Sequence, residues 1–155
     1  MKFKNPLFVV SDMDRSLQFY QTVLGLRVTA DFGANKTLTG GICLQTAQSW
    51  PTLIGEAGKA VAFGGRDAEL YFEEDDLDGF LAKIETMEGI EYVHPLIEHR
   101  WGQRAIRIYD PDRHIIEVGE SLRMPMLRFA AQGMSSEQIA ARMEVPLSLV
   151  ERLMK

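Results

Sequence analysis

Two hydrophobic rhythms alternate along the chain, and the alternation occurs twice. Leu7–Val10 is a short apolar run, read as a buried strand. Asp12 or Asp14 then offers a helix N-cap, and Met13, Leu17, Tyr20 and Leu24 share one helical stripe. Gly25 follows as the left-handed residue that ends such a helix. Residues 26–32, 35–39 and 42–46 read as strands, with Gly40 and Gly41 turning between the last two. The first unit is therefore strand, helix, three strands.

The same order returns. Residues 69–73 alternate like a strand, and Asp75, Asp76 and Asp78 crowd the next helix start, where negative charge suits the macrodipole. Leu77, Phe80, Leu81 and Ile84 form its apolar stripe, Gly89 ends it, and residues 90–97 read as a strand. A hairpin follows. In its first arm Ile106 and Ile108 lie on one face, with Ala105, Arg107 and Tyr109 on the other. Asp110, Pro111 and Asp112 supply turn chemistry. In the second arm Ile115 and Glu117 oppose His114, Ile116 and Val118.

An offset of 64 maps Asp12 onto Asp76, Leu17 onto Leu81 and Gly25 onto Gly89, and an offset of 72 maps Gln45 onto Glu117. The reading is an α+β fold of two tandem βαβββ modules that bury their exposed sheet faces by curling around a shared cavity. Module one is placed at about residues 1–48, a connector at 49–68 and module two at 69–121. Residues 122–155 form a C-terminal helical extension. The connector holds Gly55, Gly58, Gly64 and Gly65, with one helical turn expected after Pro51.

Composition narrows the function classes. At 155 residues and 46% hydrophobic, the chain can bury a real core. A formal charge of −5 argues against a general nucleic-acid or anionic-membrane surface. A single cysteine, Cys43, rules out an intramolecular disulfide framework. No apolar run approaches the roughly 20 residues of a membrane helix. The N-terminal stretch meets acidic residues too early for a signal peptide, so a cytoplasmic location is expected.

Glu117 is the sharpest chemical hint, because a carboxylate among branched apolar strand residues is costly to bury without a cation or donors. Under the two offsets it joins Asn5, Gln45 and Glu69, four oxygen-bearing side chains from first and last strands. Such a set suits a metal or an acid/base site. Solvent exposure or pairing with an arginine remains the plainer alternative for Glu117. For Arg104 and Arg107, cross-strand pairing with an acid is preferred to contact with an anionic ligand. His99 and Trp101 are placed at the pocket rim. His114, on the face opposite Glu117, is expected beneath the helix layer, and His94 is the only other histidine.

The phrases SDMDRSLQFYQTVLGL and IYDPDRHIIEVGE, in that order, resemble the vicinal oxygen chelate superfamily, which includes glyoxalase I, bleomycin-resistance proteins, fosfomycin-modifying thiol transferases and extradiol dioxygenases. The likeness covers about residues 3–121. It implies paired modules forming a cup, usually in a homodimer, with one divalent metal held by residues of the first and last strands. The positions correspond to Asn5, Gln45, Glu69 and Glu117, with Glu117 also the candidate catalytic residue. Both of the usual histidines are absent. That counts against extradiol dioxygenase chemistry and iron, and it favours magnesium, manganese or calcium over zinc or nickel if a metal is held at all.

Three functions follow as expectations. The first is a metal-dependent lyase or isomerase acting on a small molecule. The second is a non-catalytic binder that sequesters its ligand, as in bleomycin resistance. The third and least favoured is a ligand-sensing regulator. Its helix-turn-helix-like tail has a capping box at Ser135 and Gln138 and a helix opening near Pro146. That last helix presents Leu147, Ser148 and Leu149 where a DNA reader needs polar or basic residues, so nucleic acid is disfavoured and a packing appendage preferred.

Overall fold

The computed structural model describes all 155 residues, and the chain divides into two compact units. The first comprises residues 1–68 with 110–114; the second comprises 69–109 and 115–155. Each carries one four-stranded mixed sheet.

In the first unit, β1 (Leu7–Val10) leads into α1 (Met13–Thr22), then β2 (Val28–Asp31), β3 (Asn35–Leu38) and β4 (Cys43–Thr46). The sheet order is β1-β4-β3-β2. Only β1 and β4 are parallel, because the helix carries the chain across before the antiparallel meander closes onto β1. Asp12 caps α1 by accepting from the Arg15 amide at 3.0 Å. The buried line of α1 runs through Ser16, Tyr20 and Val23, whereas Met13, Leu17 and Leu24 are half-buried. The helix is thus rotated from the stripe that hydrophobicity alone suggests, because the Tyr20 hydroxyl has a buried partner to reach. It donates to Asp110 Oδ2 at 2.9 Å. Burial, and then the Asp110 charge, push the Tyr20 hydroxyl pKa well above its ordinary value.

The turn at 110–114 is held as its residues suggest. Asp110 Oδ1 accepts from the amides of Asp112 and His114 at 2.9 and 2.8 Å. Asp112 accepts from the Ser11 amide at 2.9 Å and from Arg15 at 3.1 Å. His114 packs edge-on against Phe8, its Nδ1 2.8 Å from Asp110 Oδ2, as expected for a packed histidine. The connector forms one short helix, α2 (Trp50–Leu53), with Pro51 in its first turn.

The second unit repeats the plan with β5 (Glu69–Glu74), α3 (Leu77–Glu85), β6 (Glu91–Glu98), β7 (Arg104–Tyr109) and β8 (Ile115–Glu120), in sheet order β5-β8-β7-β6. Asp76 caps α3 through the Gly79 amide at 3.0 Å. Leu70, Ile106, Ile108, Ile116 and Val118 point from one face of the sheet, and with Leu77 and Ile84 of α3 they form the core.

The two ladders are not in identical register. Leu7 lies beside Cys43, whereas Tyr71, 64 positions after Leu7, lies beside Glu117. The offset of 72 holds along the antiparallel ladders, where Asn35 lies beside Gln45 as Arg107 lies beside Glu117. The first strands differ: Val9 lies beside Gln45 as Tyr71 lies beside Glu117, two residues out of step with the offset of 64 that relates the helix starts.

The tail forms α4 (Arg123–Ala131), α5 (Ser136–Met143) and α6 (Leu147–Leu153) and belongs to the second unit. Met126, Phe129, Ile139, Ala140, Met143 and Val150 make its core, with Trp101 packed against it. The capping box at Ser135 and Gln138 is present, and Pro146 is the N-cap of α6, just ahead of its first turn. The appendage is fixed to the sheet by Arg128, which donates to Glu120 Oε1 and to the Gly102 carbonyl, both at 2.6 Å. No helix is long and apolar enough to cross a membrane.

Gly102 is the position where this docking leaves no choice of residue. Its φ is +92°, and a Cβ there would lie 2.4 Å from the Phe129 ring. Gly133, with φ +87°, faces open space. Gly133→Ala should cost about 1 kcal/mol, the backbone term alone. Gly102→Ala should cost roughly 3 kcal/mol, because the overlap with Phe129 adds to the same backbone term. Urea denaturation of the two variants measures the difference.

Candidate functional site

Strand alternation in the second unit places one row of side chains across its sheet. Tyr71 of β5 neighbours Glu117 of β8, Glu117 neighbours Arg107 of β7, and Arg107 neighbours His94 of β6. All four project from the face opposite the α3 core. Glu69, two residues before Tyr71 on β5, shares that face.

Arg107 is the centre of the row. Its Nε donates to Glu69 Oε2 at 2.8 Å and its Nη2 to Glu69 Oε1 at 3.4 Å. Nη2 also contacts Glu117 Oε2. Glu117 is only 6% exposed, and this charge contact is the partner of an oxygen that receives no well-aligned hydrogen bond. Nη1 lies 3.1 Å from His94 Nε2. His94 Nδ1 is 2.7 Å from the Pro95 carbonyl, which can only accept, so Nδ1 carries the proton and Nε2 presents its lone pair to Arg107.

Next to the row lies a small aromatic and amide group. Tyr71 is 47% exposed, and its hydroxyl accepts from Gln103 Nε2 at 2.9 Å. Burial of the hydroxyl end is the largest effect on its pKa and raises it. Gln103 also donates to the Glu120 carbonyl at 2.6 Å and accepts from the Trp101 indole at 3.0 Å. Gly119 sits beneath: a Cβ there would come within 3.3 Å of Tyr71 and 3.4 Å of Gln103. His99 stacks on Trp101 with centroids 4.4 Å apart, and its pKa is lowered by burial first and then by the Arg107 charge.

The remaining expected site residues lie elsewhere. Arg104 projects from the other face of β7, where its Nε donates to Glu120 Oε1 at 2.7 Å and its Nη1 to Asp78 Oδ1 at 2.9 Å. It is a cross-strand structural pair and faces away from Arg107. In the first unit, Gln45 accepts from Asn35 Nδ2 at 2.9 Å and donates to Ser49 Oγ at 2.5 Å, so both ends of its amide are occupied. Asn5 precedes β1 and donates to Cys43 Sγ.

The family model of the glyoxalase-like domain matches residues 3–123. The chain belongs to the glyoxalase-like family, within the vicinal oxygen chelate superfamily. A protein of unknown function from Agrobacterium tumefaciens str. C58 is similar at 41% identity and TM-score 0.71, over 79% of this chain and 95% of that one. Two more distant structures share the fold. Lactoylglutathione lyase from Agrobacterium tumefaciens has 22% identity and TM-score 0.60, over 77% of this chain and 93% of its own. The fosfomycin resistance protein FosX from Mesorhizobium loti has 17% identity and TM-score 0.55, over 77% and 92%. No curated protein matches the chain. The matched region stops near the start of α4, so the three-helix appendage is outside the family's common part.

The glyoxalase-like set of Asn5, Gln45, Glu69 and Glu117 does not fit a divalent metal as these side chains stand. The two carboxylates share a guanidinium and the two amides are bonded to neighbours. No three His, Cys, Asp or Glu side chains gather into a metal-holding group. The cation beside Glu117 is Arg107.

On the opposite face of β8, Glu120 is the contrasting carboxylate. It is 1% exposed; Oε2 accepts from the Arg104 amide at 3.1 Å, and Oε1 accepts from Arg104 Nε and Arg128 Nη1. Burial opposes its ionisation, but the bonds from Arg128 and Arg104 outweigh it, so its pKa is lowered. A lowered folded pKa means the stabilisation is complete above the unfolded value near 4.3 and is lost as pH falls through the folded value. Glu120→Gln should cost about 3 kcal/mol at pH 7 and flatten the acid limb of stability below about pH 4. Denaturation midpoints from pH 2 to 7 check both.

Proposed function

We propose that this glyoxalase-like protein binds a small organic molecule on the Tyr71–Glu117–Arg107 face without a metal, as a binding or sequestering protein and not as a metal-dependent lyase. The observation that carries this reading is Arg107, whose guanidinium engages both Glu69 and Glu117. A carboxylate held in an ion pair and largely out of water is a poor metal ligand and a poor base, because either role requires the arginine to leave.

The same face suits a ligand with an apolar ring and a polar edge. Tyr71 offers a half-exposed ring, held in place by Gln103, and the exposed Glu69 carboxylate offers a polar edge. Aromatic side chains with a few fixed polar groups are the usual lining of small-molecule sites.

Two measurements test the proposal. Protein purified without chelator should hold far less than one metal ion per chain and show no thermal shift with manganese or magnesium. In a chemical-shift screen of small heteroaromatic compounds, perturbations should cluster at Tyr71, Gln103 and Gly119, and Tyr71→Ala should weaken binding about tenfold, equivalent to ~1.4 kcal/mol. Stoichiometric metal, or hits confined to other surfaces, would remove the reading.

A further inference from the structure

The appendage reaches the open face of the second sheet through one turn, residues 99–103 between β6 and β7. Two backbone bonds close the turn, from the His99 amide to the Gln103 carbonyl and from the Gly102 amide to the His99 carbonyl, both at 2.8 Å. The appendage grips it at several points. Arg128 of α4 donates to the Gly102 carbonyl at 2.6 Å, and Arg142 of α5 donates to the Arg100 carbonyl. Glu144, just after α5, pairs with the Arg100 guanidinium at 2.5 Å. Phe129 occupies the space that a Cβ on Gly102 would need, and Trp101 packs against the appendage core. None of these contacts involves Tyr71.

The other end of the turn does. The Trp101 indole can only donate, and it donates to Gln103 Oε1 at 3.0 Å; the Glu120 carbonyl can only accept, and it takes a bond from Gln103 Nε2 at 2.6 Å. These two partners leave the Gln103 amide one orientation, with its remaining N–H directed at the Tyr71 hydroxyl 2.9 Å away. Gln103 is only 6% exposed, so water does not substitute for either partner. The Tyr71 oxygen therefore accepts from Gln103, and its own proton is left to donate, with Glu73 Oε1 at a loose 3.3 Å.

We propose that the three-helix appendage is the positioning element of the Tyr71 face. Its grip on the turn holds Trp101, Trp101 fixes the Gln103 amide, and Gln103 sets the Tyr71 ring with its hydroxyl as a donor. A ligand group that meets this hydroxyl is accordingly an acceptor, a carbonyl or a ring nitrogen. By linkage, a ligand seated on Tyr71 stabilises the docked appendage by as much as the docked appendage favours the ligand. This inference rests on the small-molecule reading of the face for its purpose, but its test needs no ligand.

The test uses the full chain, read by nuclear magnetic resonance at the Gln103 side-chain amide and the Tyr71 ring. Arg142 is exposed, and Arg142→Ala removes one hold on the turn. The Gln103 amide hydrogens should then exchange with solvent at least about tenfold faster, and the Tyr71 ring resonances should shift. Arg142→Lys, which keeps a donor, should restore both. Trp101→Phe keeps a ring in the core and removes the indole donor; it should produce the same changes, and adding Arg142→Ala to it should change nothing further, as for residues acting in series. Arg152 lines a groove on α6 with Pro146, Ser148 and Leu149 and makes none of the contacts to the turn, so Arg152→Ala should leave Gln103 and Tyr71 unmoved. The inference is overturned if Arg142→Ala leaves both unmoved, if Arg152→Ala moves them equally, or if the effects of Arg142→Ala and Trp101→Phe simply add. Should Trp101→Phe fail to fold, Arg142→Ala and its lysine rescue decide the matter. A compound screen without hits at Tyr71 removes the binding reading and leaves the response of Tyr71 to Arg142→Ala standing, whereas an unresponsive Tyr71 removes only this inference.

Discussion

The second unit depends on how Glu117 can be buried in the middle of a strand. A carboxylate moved from water into a protein interior costs several kcal/mol even after relaxation. An opposite charge about 4 Å away returns about 4 kcal/mol near a protein surface. Arg107, the directly opposed residue on β7, supplies that charge. The exchange is near balance, so the pair holds the site together without adding much stability. The orientation of β7 follows from it: a one-residue slip would turn Arg107 toward the Ile106 and Ile108 core and leave Glu117 unpaired.

Much of the architecture could be read from the sequence because it rests on local rules. Asp12 and Asp76 cap helices, the Asp110 turn binds its own amides, and Ser135 and Gln138 form their box, all through contacts within four residues. Period-two alternation sorted Arg107 with Ala105 and Tyr109 and Glu117 with Ile115, and cross-strand pairing with an acid was the preferred reading of both arginines; that the two sets share a face came only with the ladder. The strand register between β1 and β4 was out of reach, since a two-residue shift keeps every side chain on its face and leaves the hydrophobic pattern unchanged. The same blindness affected α1, whose rotation is set by the distant Asp110 partner of Tyr20.

The candidate site was legible to a lesser degree. Its residues Glu69, Arg107 and Glu117 were named, and the plainer reading of Glu117, pairing with an arginine, is what the structure shows, with Glu69 on the same guanidinium. No single-residue pattern distinguishes an arginine that pairs with one acid from an arginine that gathers two acids and a histidine. Tyr71 and Gln103 were missed altogether. The only available signal was an aromatic residue at a position of β5 whose strand neighbours, Glu69 and Glu73, are charged. His94 lies in a strand that reads as ordinary until the ladder puts it beside Arg107.

The two buried carboxylates of β8 are satisfied to different degrees. Glu120 has both oxygens engaged by three donors from two arginines and a backbone amide, which lowers its pKa and clamps α4 to the sheet. Nothing is left over for a ligand. Glu117 is nearly as buried, yet one of its oxygens meets charge without an aligned donor. A strand that can satisfy one carboxylate completely has no geometric obstacle to satisfying another. The incompleteness at Glu117 lies beside an exposed aromatic ring packed close over Gly119, and the complete pairing at Glu120 lies beside a helix that Arg128 ties to it. That difference in satisfaction is what the proposed binding face rests on.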